Sequence, residues 1–183
     1  ELSSKYPDSK IYTVDSLAAS LGQGLIVYLA AKKKEQGASI DEVRDYVESI
    51  KLNLCHWFTV DDLFFLKRGG RVSATTAVLG TALGIKPVMH VDDNGKLVNV
   101  AKARGRKNSI TELCKRMKET AIDPENQVIF ISHGDCRDEA EYLADLVKKE
   151  MNVKEVVIGY VGAVIGAHSG PGTMALFFLG SER

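Results

Sequence analysis

The run "GAVIGAHSGPGTMALFF", residues 162–178, sets His168 among glycines and one proline, directly ahead of an apolar segment. Imidazole changes charge near neutral pH, so here it supplies either a switchable proton or a hydrogen-bond donor to an anion. Glycine and proline serve a packed helix or strand poorly: one loses backbone entropy on folding and the other removes a ladder donor. Gly166, Ser169, Gly170 and Gly172 therefore read as a loop supporting His168, with backbone brought close to a neighbour. The competing reading is a tight turn with the histidine filling space. Ser169 is a poor nucleophile candidate, because the pattern is not G-x-S-x-G and adjacent residues seldom form a nucleophile–base pair.

Arg71 follows a glycine pair in "DDLFFLKRGGRVS". The plain reading is a glycine helix stop with a surface arginine after it. The functional one is an anion clamp, since a guanidinium fork beside free backbone donors suits a carboxylate or phosphate. Arg104 in "AKARGRKNS" sits in a basic run that reads first as a solvated face. If the strand before it continues regularly, Arg104 shares a side with Val98 and Val100 and reaches inward. In "SHGDC", His133 and Asp135 lie beyond a strand's carboxyl end, where ligands gather in α/β sheets, although a helix cap at Asp135 explains them as well. No HxH or HxxxH spacing joins His133, Asp135 and His168 into a metal site, and none is expected.

The elements that must hold these residues alternate between helix and strand. "KIYTVDS" predicts a buried strand. Leu17, Leu21, Leu25 and Leu29 share a helical face that ends at Lys32–Lys34 and Gly37. Ser39 with Glu42 is a capping box opening a second amphipathic helix; Ser109 with Glu112 repeats the pattern, and Asp135 with Asp138 is a weaker version. Four longer helices result. "KPVMHVDDNGKLVNVAKAR" predicts a hairpin with a two-residue type I′ turn at Asn94-Gly95, which sets Val91 opposite Val98 and Met89 opposite Val100, with His90 toward solvent. "QVIFISHGD", a helix and "EVVIGYV" form a βαβ unit with parallel strands. The fold class is mixed α/β. A lone strand and helix cannot complete a layer, so residues 1–54 are expected to be the tail of a larger lobe whose N-terminal portion is missing.

Charge and cysteine usage narrow the function classes. Lys+Arg and Asp+Glu balance at 24 each, which gives no basic excess for a phosphate backbone and predicts no nucleic-acid partner. The 3 cysteines are scattered without CxxC spacing, so a reducing, cytoplasmic setting is expected. No 18-residue apolar run and no signal-type start appear, so neither membrane insertion nor export is expected.

Five segments, "VDSLAASLGQGLIVYLAAKKKEQG", "VDDLFFLKRGGRVS", "LGIKPVMHVDDNGKL", "AKARGRK" and "GAVIGAHSGPGTMALFF", occur in the order seen in the DegV family of bacterial fatty-acid-binding proteins. The chain resembles that family over nearly its whole length. The resemblance implies a two-lobed α/β architecture with mixed parallel and antiparallel sheets and flanking helices. Mainly the C-terminal lobe, residues 55–183, is present, and residues 1–54 are what remains of the N-terminal lobe. It further implies a non-enzymatic carrier that holds one long-chain fatty acid, with no cofactor besides that ligand, and presents it to a fatty-acid kinase that makes an acyl phosphate for phospholipid synthesis. Carried over by residue, it puts His168 near the carboxylate and Arg71 and Arg104 around the head group or at the kinase-facing surface. The family's threonine and serine from the N-terminal lobe have no counterpart here.

Such a carrier is physically coherent. About fourteen buried methylenes contribute roughly 11 kcal/mol gross at about 0.8 kcal/mol each, so the tail dominates affinity. A carboxylate in a low-dielectric pocket costs several kcal/mol unless paired, so the head group sets orientation. The alternative is an enzyme acting on a small anionic substrate, with His168 as acid–base group and Arg71 and Arg104 as clamps.

Overall fold

The computed structural model describes residues 1–73 and 84–183. A single turn, α1 (Leu2–Lys5), precedes α2 (Ser20–Glu35) and α3 (Ile40–Ile50); then come β1 (Leu54–Thr59), α4 (Leu63–Arg68), β2 (Ile85–Val91), β3 (Leu97–Arg104) and α5 (Arg106–Thr120). The remainder is β4 (Val128–His133), α6 (Arg137–Met151), β5 (Glu155–Tyr160), α7 (Ala163–Ser169) and β6 (Met174–Leu179). The strands make one 6-stranded sheet in the order β3-β2-β1-β6-β4-β5. β4 and β5 run parallel, as the βαβ reading requires, and the other pairs are antiparallel.

Both faces of the sheet are covered, so β1 and β4 are buried along their whole lengths. Alternation then sorts their side chains into two cores. Cys55, Ile129, Ile131, Leu176 and Phe178 pack with α5 and α6, whose Ile110, Leu113, Cys114, Met117 and Ala140, Leu143, Ala144, Val147 recur at helical spacing. Leu54, Phe58, Phe130, Ala175 and Phe177 face α2 and α4. Each large side chain so buried contributes about 1.5–3 kcal/mol.

Local signals hold where they are self-contained. The four longer helices are α2, α3, α5 and α6. At Ser39 the full capping box forms, with Glu42 N–H donating to Ser39 Oγ and Ser39 N–H to the Glu42 carboxylate. Two other caps do not form. α5 begins earlier, at Arg106 after Gly105, which leaves Ser109 inside the helix with its hydroxyl donating to the Arg106 carbonyl. α6 begins after Cys136, whose N–H donates to His133 Nδ1 at 3.2 Å, while Asp135 sits in the left-handed region at φ 55°.

Residues 10–16 are not a strand. Ile11 and Tyr12 are 37% and 38% exposed, and no strand among the described residues pairs with them. Lys10 and Tyr12 instead bond Asp41 on α3. Asp15 and Ser16 accept the backbone N–H groups of Leu17 and Ala18, a side-chain alternative to a ladder.

The β2–β3 hairpin turns differently from expectation. Gly95 is left-handed at φ 73° and Asn94 is not, Gly95 N–H bonds the Asp92 carbonyl, and Asp92 N–H bonds the Lys96 carbonyl. This is the three-residue loop with a glycine bulge. Val91 therefore pairs with Leu97, His90 with Val98 and Met89 with Asn99, with an irregularity between Val88 and Met89. His90 is only half exposed and stacks on the Trp57 indole at 5.2 Å between ring centroids.

Candidate functional site

A cavity of about 280 Å³ lies on the α2/α4 face of the sheet, with α7 along one side. Phe58, Leu66, Val91, Ile165, Ala175 and Phe177 give it a mainly apolar wall. His168, Ser169 and Thr173 line it just ahead of β6, Ser132 faces it from β4, Ser20 from the start of α2, and Arg71 from its mouth.

His168 stands in the last turn of α7, a short helix that Gly170 ends at φ 78°. The glycines around it are explained by close packing of α4 on α7. A Cβ at Gly170 would stand 2.6 Å from the Phe65 ring, and one at Gly172, at φ 74°, 2.4 Å from the Asp61 carboxylate. Gly166 differs, since a Cβ there meets only Val161 at 3.6 Å, an ordinary contact. The loop is stitched to the end of β4: Gly172 N–H donates to Gly134 O at 2.7 Å and Gly134 N–H to Thr173 O at 2.8 Å. Ser169 Oγ donates to the Ile165 carbonyl at 2.8 Å, which occupies its hydroxyl proton.

Arg71 emerges from a Schellman stop. Gly70 has φ 70°, Gly70 N–H bonds Lys67 O, and Arg71 N–H bonds Leu66 O at 2.8 Å. Gly69 N–H is likewise taken, by Phe65 O. The backbone N–H groups of Gly69, Gly70 and Arg71 are thus not free, because the helix stop uses them. Arg71 offers its exposed guanidinium, which donates to Gly69 O.

Arg104 is not among the described residues lining the cavity. It shares a side with Val100 as its spacing suggests, but that side is open: Val100 is 43% exposed, while Ala101 and Ala103 turn toward the α5/α6 core. Arg104 is exposed at the end of β3, an edge strand. Two positions on, Arg106 is partly buried and bonds Glu139 at 2.7 Å, and its other arm lies 3.7 Å from Asp61, which also binds Lys86 at 2.8 Å. That network braces the sheet beneath the loop that Asp61 touches at Gly172.

His133 points to the other side of the sheet from Ser132. It is fully buried, its ring lies 4.4 Å from that of Tyr160, and burial pushes its pKa down. Its place in the fold is the cap it gives α6. Among the described residues, no group of three or more His, Cys, Asp or Glu side chains is placed to hold a metal ion, and no helix is long and apolar enough to cross a membrane.

Sequence reasoning misses Ser20, Ser132, Thr173 and His56, which also lines the cavity. Strand parity was the available signal for Ser132, one residue before His133. His56 is 3% exposed, edge-on to Phe177 at 5.4 Å, and its Nδ1 lies 3.4 Å from Arg183 Nη2. Burial above all, then the Arg183 charge, pushes its pKa down to about 3, so the ring is neutral at physiological pH.

This geometry can be set beside known proteins. A DegV domain-containing protein of Clostridium perfringens is 51% identical over 183 residues, covering 100% of this chain and 63% of the relative. The chain spans about three-fifths of the length of the curated relatives it matches. A fatty-acid-binding DegV family protein from Thermus thermophilus superposes with a TM-score of 0.84 at 31% identity, over 96% of this chain and 63% of that one. The Streptococcus pneumoniae fatty acid kinase B3 protein, solved loaded with linoleic acid, shares the fold with a TM-score of 0.88 at 20% identity, over 97% and 62%. The family model described as "Uncharacterised protein, DegV family" matches residues 1–181, and the chain belongs to the DegV family.

Proposed function

We propose that the protein is a non-enzymatic carrier that holds a long-chain fatty acid with its carboxylate near His168 and presents it to a partner kinase for acyl-phosphate formation. The observation that carries this reading is a mainly apolar cavity, walled by Phe58, Ala175 and Phe177 among others, into which His168, Ser169 and Thr173 bring polar atoms just ahead of β6. An acyl chain gains about 0.8 kcal/mol per methylene against such a wall, whereas a carboxylate needs donors at one end. The Thermus thermophilus relative is itself described as fatty-acid binding.

Presentation to a kinase is supported by exposed cations rather than by the cavity. Arg71 at the mouth and Arg104 at the end of β3 are solvent-facing, suited to an acidic partner surface or to phosphate. The fatty acid kinase B3 protein of Streptococcus pneumoniae shares only the fold, at 20% identity.

The test has two arms. Lipid copurified with the intact protein is identified by mass spectrometry, and long-chain fatty acid is expected; a short polar metabolite in its place would favour the enzyme of the alternative reading. His168→Ala is then expected to weaken binding of palmitic acid about ten- to a hundredfold, from loss of a charge-assisted hydrogen bond of roughly 1.5–3 kcal/mol. The alcohol of equal length has no charge to pair and loses much less. Equal losses for acid and alcohol would mean that His168 only shapes its loop.

A further inference from the structure

Three contacts in register join the segment around α4 to the stretch that carries His168. Gly69 lies against the His168 ring, Phe65 against Gly170, and the Asp61 carboxylate against Gly172. Positions 61, 65 and 69 thus meet 172, 170 and 168 in turn, four residues apart on one side and two on the other. Asp61 is the far end of this seam and its one charged member.

Its neighbour Asp62 is spent locally, accepting the Phe64 N–H at 2.8 Å as the N-cap of α4. Asp61 reaches away from that helix instead. Its carboxylate binds Lys86 Nζ of β2 at 2.8 Å and lies 3.7 Å from Arg106 Nη1 at the start of α5, and its backbone carbonyl accepts a second bond from Lys86 at 3.2 Å. Because the Asp61 side chain is 49% exposed, these pairs add little to stability. What two cations from two elements do for a half-exposed carboxylate is fix where it stands. Gly172 is then held from two sides, its N–H by Gly134 O at 2.7 Å and its α-carbon by Asp61. The Thr173 hydroxyl closes the loop by donating to Gly170 O at 2.7 Å, so a shift at Gly172 is passed to Gly170 and on to the last turn of α7.

We propose that Asp61 is a positioning residue for the head-group end of the cavity: anchored by Lys86 and Arg106, it sets the Gly170–Thr173 loop and through it the orientation of His168. The inference rests on the fatty-acid reading above and names a residue outside the cavity on which its selectivity for a carboxylate depends. Asp61 touches no ligand, and its effect passes through the histidine.

A double-mutant cycle on the intact protein, read by calorimetry with palmitic acid and with the alcohol of equal length, tests this. Asp61→Ala is expected to weaken acid binding about three- to tenfold and to leave the alcohol nearly as wild type, which also shows that the variant folds. In the His168→Ala background the same change is expected to cost the acid almost nothing further. Asp61→Asn keeps the size of the side chain and one acceptor for Lys86, and is expected to recover most of the lost affinity. Equal losses for acid and alcohol, a loss that adds in full to that of His168→Ala, or unchanged acid binding in Asp61→Ala while His168→Ala still discriminates would each overturn the positioning role and leave the carrier standing. Wild-type protein that binds neither ligand would overturn the carrier and the positioning role together.

Discussion

Gly69 lies directly against the imidazole of His168: a methyl group on its α-carbon would stand 2.5 Å from Nδ1 and 3.1 Å from Cγ. With φ −74° and ψ −4°, Gly69 has a backbone that any residue adopts, so the glycine is required by the histidine and not by the chain. Gly69→Ala is expected to displace the ring and destabilise the fold by about 1–3 kcal/mol through overpacking. Gly70→Ala is the control. Its φ of 70° disfavours alanine by roughly 1–2 kcal/mol, but a Cβ there meets nothing within 4 Å among the described residues. Both should lower the melting temperature, and only Gly69→Ala should weaken acid binding; parallel affinity losses would separate His168 from Gly69.

For Arg71→Ala, lipid affinity should stay within about threefold of wild type while transfer to the kinase slows, because the guanidinium is exposed at the mouth and bonds Gly69 O. Calorimetry and a phosphorylation time course read the two properties separately. A loss of lipid affinity as large as that of His168→Ala would place Arg71 on the carboxylate instead.

His56 makes stability depend on pH in one direction. Its folded pKa of about 3 lies below the unfolded value of about 6.5, so the unfolded chain takes up the proton first as pH falls. The contribution is complete above about pH 6.5 and is lost progressively toward pH 3, reaching about 2 kcal/mol at pH 5. His56→Gln keeps a side-chain acceptor for Arg183 and removes the titration. Urea midpoints at pH 7 and pH 5 should differ less in the variant than in wild type by about that amount; identical shifts would show that the imidazole titrates alike in both states.

The hairpin loop separates two neighbours that a type I′ turn would treat alike. Gly95 needs its left-handed φ of 73°, whereas Asn94 does not adopt one. Gly95→Val should cost about 1–3 kcal/mol in thermal unfolding, and Asn94→Ala less than about 0.5 kcal/mol. Comparable losses at both positions would restore the two-residue turn.

What the sequence made legible follows from how far apart the cooperating residues are. The Ser39–Glu42 box, the glycine stop after Arg68 and the βαβ unit are settled within a few turns of chain, and each has the form its residues predict. The segment from Lys10 to Ser16 has the apolar content of a strand, but a strand exists only beside a partner, and Asp41 offers hydrogen bonds in its place. Arg104 was assigned the correct parity; what parity leaves open is which side of an edge strand the helices cover. Ser20, Ser132 and His56 meet only because α2 lies across β1 and β4, and no spacing along the chain announces a meeting of positions 20, 56 and 132. Conversely, the glycines flanking His168 were visible as a demand for close approach, though the neighbours proved to be Phe65 and Asp61 from the α4 region.

The pairing of β1 with β6, Leu54 opposite Leu179 and Thr59 opposite Met174, makes the wall of the cavity depend on two strands far apart along the chain. Neither strand can find the other until nearly all of the intervening chain has been made, and closing so long a loop is slow compared with forming α5, α6 or the β2–β3 hairpin. During synthesis "LCHWFT", apolar and β-prone, can pair with β2 on one edge but waits with the other unsatisfied for a strand made much later. Yield in a cell should therefore depend on chaperone supply and growth temperature more steeply than the stability of the finished protein would suggest, and substitutions in β6 should appear first as insoluble protein.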